Sequence, residues 1–247
     1  MYYFLYKNLD KFGLSFKNKI YNLDKKNKLI IQILYNVILD KKGNGIDGLL
    51  NYYNKYKVLP TLNLPKSITA GTGMDALAHC IEAYSSPFYH PMAEGTALEG
   101  LRLVKENIQE VYHNGNNVEA RSHMLVASMM GAAAFQKGLG AIHSITHPVN
   151  SLYKTHHGTT NGTVMPFVLN YNRSTIEEKF TRLANFLDIK NGFEGIVDWI
   201  IELKKEMEIP ETLKDMGVNE GDEIKLAPLA QEDPSTGANP LEMTVER

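Results

Sequence analysis

Thr72-Gly-Met-Asp-Ala-Leu-Ala-His-Cys-Ile-Glu-Ala-Tyr84 is the stretch on which the reading of the fold turns. Its apolar residues Leu77, Ile81 and Tyr84 recur at helical spacing, and Asp75, His79 and Glu82 share the opposite stripe. The spacing predicts a helix on which a carboxylate and an imidazole point the same way, one turn apart. A second pair lies downstream. His143 falls in Gly140-Ala-Ile-His-Ser-Ile-Thr-His147-Pro148, which reads as helix, and His157 precedes Gly158 near the start of the next one. A lone buried histidine ordinarily satisfies a hydrogen bond and nothing more. Together, Asp75, His79, His143 and His157 offer a divalent cation a full set of ligands, provided that the two elements converge. Three imidazoles and one carboxylate suit Fe(II) or Zn(II) and supply too few oxygens for calcium. Any position left open on such an ion takes water or a substrate oxygen, which is the pattern of a catalytic site rather than a closed structural one.

The rest of the composition frames that site. At 247 residues and 43% hydrophobic, the chain can bury a substantial core as one large domain or two modest ones. The net charge of -2 conceals an asymmetry, since residues 1–60 carry 11 Lys and 4 Asp with no Arg, Glu or His. Alanine is absent before Ala70 and abundant after it. We therefore place a boundary near Leu59-Pro60, with an atypical Lys/Asn/Tyr-rich segment at 1–60 and a helical metal-binding domain at 61–247. Lysines without arginine or a recognised fold read as a solvated face, so no nucleic acid partner is expected. The single cysteine excludes an internal disulfide and makes a reducing cytoplasm the simple default. Cys80 follows His79 directly, which turns it away from the ligand stripe and makes it core filler. The start of the chain lacks the basic residues and cleavage site of a secretory leader. The longest apolar run, Leu29 to Leu39, is broken by Gln32 and Asn36 and falls short of the roughly 20 residues of a membrane span, so no membrane partner is expected.

Along the chain, 24–39 reads as a helix or a buried strand. Gly43-Asn-Gly-Ile-Asp-Gly48 matches the dinucleotide-binding glycine pattern, but no second strand precedes Pro60 and no acidic residue lies about 20 positions on, so it reads as an ordinary loop. Beyond the boundary the expectation is helix upon helix. Pro91 opens one that runs to about Tyr112, and another spans about Val118 to Gln136, with Gly131 and Ala132 to Ala134 permitting close helix approach. Gly138-Leu-Gly140 breaks it ahead of the ligand helix. Further helices are expected near 161–170, 175–187 and 193–207, with a short one near 222–231.

Three stretches carry a resemblance: Ser67-Ile-Thr-Ala-Gly-Thr-Gly-Met-Asp-Ala-Leu-Ala-His-Cys-Ile-Glu-Ala-Tyr84, Lys137-Gly-Leu-Gly-Ala-Ile-His-Ser-Ile-Thr-His-Pro148, and Thr155-His-His-Gly158 leading into Val164-Met-Pro166 and Asn170. In order, identity and spacing they resemble the catalytic half of the iron-containing (group III) alcohol dehydrogenases, over about three quarters of the chain. The resemblance implies a mainly α fold, the helical metal-binding bundle of the iron-containing alcohol dehydrogenase and dehydroquinate synthase-like enzymes. It implies that Asp75, His79, His143 and His157 hold the metal, Fe(II) or Zn(II), with His157 preferred over His156 because the ligand stands immediately before the glycine. It places His147 in the cleft to bond substrate or relay a proton, and Phe135 where the family has a pocket-lining aromatic. His90, His113 and His123 match no ligand position and are expected at the surface or in packing. The implied reaction passes a hydride from a small alcohol to NAD(P), or back to an aldehyde. Residues 1–60 do not resemble the family's nucleotide-binding domain, which leaves the residues that grip the dinucleotide unknown. A metal-binding helical fragment without catalysis is therefore the rival expectation, as is a truncated or split gene product. An exposed domain face should then favour homo-oligomers or other association.

Overall fold

The computed structural model describes residues 58–246. The chain divides into two compact units, Met1–Pro60 and Thr61–Arg247, and the second carries everything described below. The readings of the leader, 24–39 and the 43–48 glycine loop lie outside the described residues.

Seven α-helices build the second unit, and no strand occurs among the described residues. Helix α1, Lys66–Ser85, is the one the opening stretch predicts, and it forms the centre of the bundle. Leu77, Ile81 and Tyr84 face the core, as their spacing requires. The Asp75, His79 and Glu82 stripe does not face open water: it turns toward two other helices, so α1 is covered on nearly every side.

Helix α2, Pro91–His113, starts with Pro91 in its first turn, where a missing N–H costs nothing, while His90 Nδ1 accepts from Ala93 N at 3.2 Å. Asn117 caps α3, Val118–Ala134, by accepting from Ala120 N. The chain leaves α3 through a 3-10 turn, Phe135–Lys137, and Gly138 at φ 104, a backbone setting suited to glycine. Close contact of α1 with α2 and α3 rests on small residues: a Cβ on Gly131 would lie 2.9 Å from His79 Cβ, and one on Gly100 2.6 Å from Cys80 Sγ.

Helix α4, Ala141–Tyr153, ends at Lys154 in the left-handed conformation, and α5 begins three residues later. The sequence divides the next region into helices near 161–170 and 175–187. The structure corrects this to one helix, α5, His157–Phe186, 30 residues long and running through Pro166. The Asn170-Tyr-Asn-Arg-Ser-Thr175 stretch has weak helix propensity, and tertiary bonds override it: Asn172 and Asn239 exchange side-chain hydrogen bonds at 2.9 and 2.8 Å in the interior. Helix α6, Gly192–Glu206, packs on α5, and α7, Glu223–Glu232, packs on α4.

The main core joins Met74, Leu77 and Ile81 of α1 to Leu101 and Ile108 of α2 and to Phe180 and Phe193 on α5 and α6. Each such side chain contributes about 1.5–3 kcal/mol by leaving water. A small separate cluster of Val149, Val218 and Leu226 ties α7 to α4. The core thus fixes α1 against α5, with α4 laid across their junction.

Candidate metal centre

Gly158 decides how closely the two halves of the site approach. A Cβ at this position would collide with the carbonyl oxygen of Gly71 and come within 2.9 Å of Asp75 Cβ, so only glycine lets the start of α5 press on the backbone of α1. That contact sets His157, the first residue of α5, across from Asp75. His156, its rival in the sequence, caps the helix instead, with Nδ1 accepting from Thr159 N at 3.3 Å.

Asp75 Oδ1 is the point of convergence. His157 Nε2 lies 3.3 Å from it, His143 Nε2 3.7 Å and His79 Nε2 3.8 Å. A tetrahedral ion with bonds of about 2.0–2.1 Å sets its ligand atoms roughly 3.3–3.4 Å apart, so the spacing fits one cation. Ligand atoms of Asp75, His79 and His143 all fall within 4.8 Å of one another; His157 is not one of that mutually close set and meets it at Asp75 Oδ1. The rings crowd accordingly: His79 and His143 centroids are 4.4 Å apart, and His143 and His157 centroids 5.3 Å.

Second contacts decide which ring nitrogen faces the centre. His143 Nδ1–H donates to Glu82 Oε2 at 2.5 Å, and Glu82 Oε1 accepts from the backbone N–H of Ile142 at 2.7 Å. His157 Nδ1–H donates to Asn150 Oδ1 at 2.9 Å, an orientation secured by the Asn150 amide donating to Thr155 and Thr160. Both rings therefore present Nε2 to Asp75, as metal-ligand histidines held by outer partners do. Burial and the neighbouring His143 ring push His79 below its ordinary value, which keeps it in the neutral form that carries a lone pair. Burial opposes charge on His143 too, but Asp75 and Glu82 beside it push its pKa up to about 9. Burial would raise the Asp75 carboxyl, yet hydrogen bonds from His143 and His157, with His79 nearby, hold it well below the usual carboxylate range.

His147 stands one turn beyond His143, stacked on His157 with centroids 5.5 Å apart and rings 17° from parallel. Its side chain is 42% exposed, and Nδ1–H donates to Asp233 Oδ2 at 2.7 Å. Phe135 sits half exposed beside His79, edge to face at 6.1 Å. The structure thus brings all six sequence-derived residues together. Cys80 is buried and its thiol pushed up to about 12, so it offers no thiolate. His113 pairs with Glu206 at 2.6 Å and His123 with Asn107 at 3.1 Å, both apart from the centre.

Sequence reasoning placed Glu82 on the ligand stripe without giving it a role, and missed Asn150, Asn161 and Asp233. Glu82 lies on the ligand stripe of α1 and Asn161 one turn after His157, so both were within reach of the helical spacing. Asp233 is 86 residues from His147 and left no local signal.

Comparison with known proteins settles the family. Residues 69–247 match the pattern described as Fe-containing alcohol dehydrogenase family, C-terminal. The chain belongs to that family. It is 40% identical over 169 residues to the 4-hydroxybutyrate dehydrogenase of Cupriavidus necator, covering 65% of this chain and 44% of that enzyme. It is 35% identical over 190 residues to the NAD-dependent methanol dehydrogenase of Bacillus methanolicus, covering 74% and 50%. A crystal structure of 1,3-propanediol oxidoreductase superposes with a TM-score of 0.73 at 31% identity, over 76% of this chain and 51% of that one. The chain spans about half the length of the curated relatives it matches.

Proposed function

We propose that the chain carries the metal-holding catalytic half of an NAD(P)-dependent alcohol and aldehyde oxidoreductase acting on small primary alcohols. The observation that carries this reading is the approach of three imidazole Nε2 atoms to one carboxylate oxygen at 3.3 to 3.8 Å. Asp75, His79, His143 and His157 are the residues that would hold a divalent ion. The family's description favours iron, and the ligand set also accepts zinc. Such an ion supplies Lewis acidity toward an alcohol oxygen.

The chain's own residues supply the rest. Asp233 holds the Nδ1 proton of His147, which leaves Nε2 of that ring to take up or return the hydroxyl proton. Phe135 covers the His79 side of the centre and limits water there. NAD(P) serves as hydride acceptor, in line with the names of relatives that are 4-hydroxybutyrate and NAD-dependent methanol dehydrogenases, both enzymes of primary alcohols. Phe88, Tyr89 and Met92 stand exposed between and at the start of helices and support self-association. No single helix among the described residues is long and apolar enough to cross a membrane, and a cytoplasmic site of action fits a reaction tied to the NAD(P) pool.

Elemental analysis of the purified chain tests the site, with about one divalent ion per chain expected. His143→Ala and His157→Ala should each lose it, and unchanged metal content in both would overturn the assignment. NAD(P)-dependent oxidation of short primary alcohols tests the activity separately from the metal.

A further inference from the structure

The geometry points to Asn161 as a positioning residue that sets the Asp75 carboxylate for its cation, a role that rests on the metal-holding reading above. Asn161 is fully buried on α5, one turn beyond His157 and on the same face. Its Nδ2 donates to Asp75 Oδ1 at 2.8 Å and lies 3.3 Å from His143 Nε2 and 3.2 Å from His157 Nε2. This one amide therefore touches would-be ligand atoms from α1, α4 and α5 at once.

The orientation of the carboxamide follows from its neighbours. A carboxylate oxygen can only accept, so the amide atom 2.8 Å from Asp75 Oδ1 is the donor end. The NH2 group must face the centre. The opposite end shows what that arrangement costs: Asn161 Oδ1 is buried with no hydrogen-bond partner, alongside only His79 Nδ1 and Thr146 Oγ1 among buried side-chain atoms of the described residues. An asparagine retained for packing would satisfy both ends of its amide. Here the acceptor end is left unmet while the donor end fixes a ligand.

The 2.8 Å bond to Asp75 is charge-assisted and stronger than the two longer contacts to the rings. It prevents the carboxylate from rotating and keeps Oδ1, rather than Oδ2, at the point where the three rings converge. Asn161 thus stands to Asp75 as Glu82 stands to His143 and Asn150 to His157. Three of the four ligands are each held by a neighbour that the sequence pattern did not single out.

The test separates positioning from packing. Zinc affinity of the full chain would be measured by chelator competition, with the cobalt(II) absorption spectrum as a report on ligand geometry, for wild type, Asn161→Leu, Asn161→Ser and His157→Ala. Asn161→Leu, which keeps the branched outline and removes both the donor and the unmet acceptor, should bind zinc about 10–100-fold more weakly, the usual cost of removing an outer partner of a ligand. Its cobalt spectrum should change, while its metal-free thermal stability is equal to or above that of wild type. Asn161→Ser, small and still a donor, should fall between the two and keeps the inference testable should the leucine variant not fold. Wild-type zinc affinity and cobalt spectrum in either folded variant would overturn the role of Asn161. Failure of wild type itself to bind zinc or cobalt any better than His157→Ala would instead overturn the metal reading beneath it.

Discussion

Two polar assemblies are built along α1, and they follow opposite rules. At its C-terminal end, the buried Lys137 Nζ donates to Glu94 Oε2 at 2.9 Å and to the last-turn carbonyl of Tyr84 at 3.3 Å, and Lys179 reaches the same carboxylate at 3.0 Å. A cation at a helix C-terminus with a carboxylate in contact is electrostatically complete. Lys204 is met differently, by the backbone carbonyls of Thr163 and Glu211. In the middle of α1 the logic reverses: a carboxylate oxygen and three imidazole nitrogens point at one another, and two of the three unpartnered buried side-chain atoms among the described residues, His79 Nδ1 and Asn161 Oδ1, lie beside them. The first assembly gives each of its two ammonium groups a carboxylate contact and serves stability. The second gathers metal-ligand atoms around one carboxylate oxygen and leaves buried polar atoms unmet, at some cost to stability.

Exchanging the two kinds of damage is the strongest test of that contrast. Glu94→Ala leaves Lys137 buried without its counter-charge and should destabilise the chain by about 3 kcal/mol in urea unfolding while leaving zinc binding intact. His157→Ala, at a side chain 40% exposed, should abolish zinc binding yet move metal-free stability by less than about 1 kcal/mol. Equal stability losses in the two would erase the distinction.

Gly158→Ala sharpens the comparison from the backbone side. Its methyl must push α5 away from Gly71, so a loss of about 1–3 kcal/mol should come together with loss of metal, because the same shift withdraws His157 from Asp75. Stability loss with full zinc affinity would mean that the ligands do not depend on this close approach.

Acid should find the first assembly. Burial works to raise Glu94, but the hydrogen bonds from Lys137 and Lys179 prevail and lower it from the ordinary 4.5. Its folded value lies below the unfolded one, so its contribution is fully present above about pH 4.5 and is lost as the pH falls through the lowered folded value. The stability gap between wild type and Glu94→Gln should therefore be constant near neutrality and shrink in acid, as urea titrations at stepped pH would record. A gap that is flat into acid would argue against the pairing. The smallest effect concerns Cys80, whose thiol burial pushes up to about 12: iodoacetamide at pH 8 should leave it unlabelled in the native chain and label it fully in urea.

The sequence made the four would-be ligands legible because each sits at a helical register position or beside a glycine with a mechanical reason to be there. It made the helical class legible through Leu77, Ile81, Tyr84 and their counterparts, since amphipathic spacing is a local property. What escaped it was non-local. The continuity of α5 through Asn170 to Thr175 depends on Asn172 meeting Asn239, 67 residues away, and His147 finds its carboxylate in a turn near the end of the chain. Glu82 and Asn161 are a different case. Their spacing from Asp75 and His157 was plain, but no periodicity distinguishes a residue that binds from one that braces a binder.

The placement of Asp233 has a further consequence. It lies between α7, whose apolar contact with α4 is the small cluster of Val149, Val218 and Leu226, and the turn Pro234–Ala238, which Asn239 pins to Asn172. Helix α7, with so little apolar anchorage, opens at lower free energy than the bundle beneath it, and its amides should exchange with deuterium well before those of α1. When it lifts, His147 loses the acceptor that orients its ring, while Glu82 and Asn150 go on bracing His143 and His157. Orientation of the His147 ring and the bracing of His143 and His157 are therefore energetically separable in this fold, so warming or mild denaturant should disturb the first long before the second.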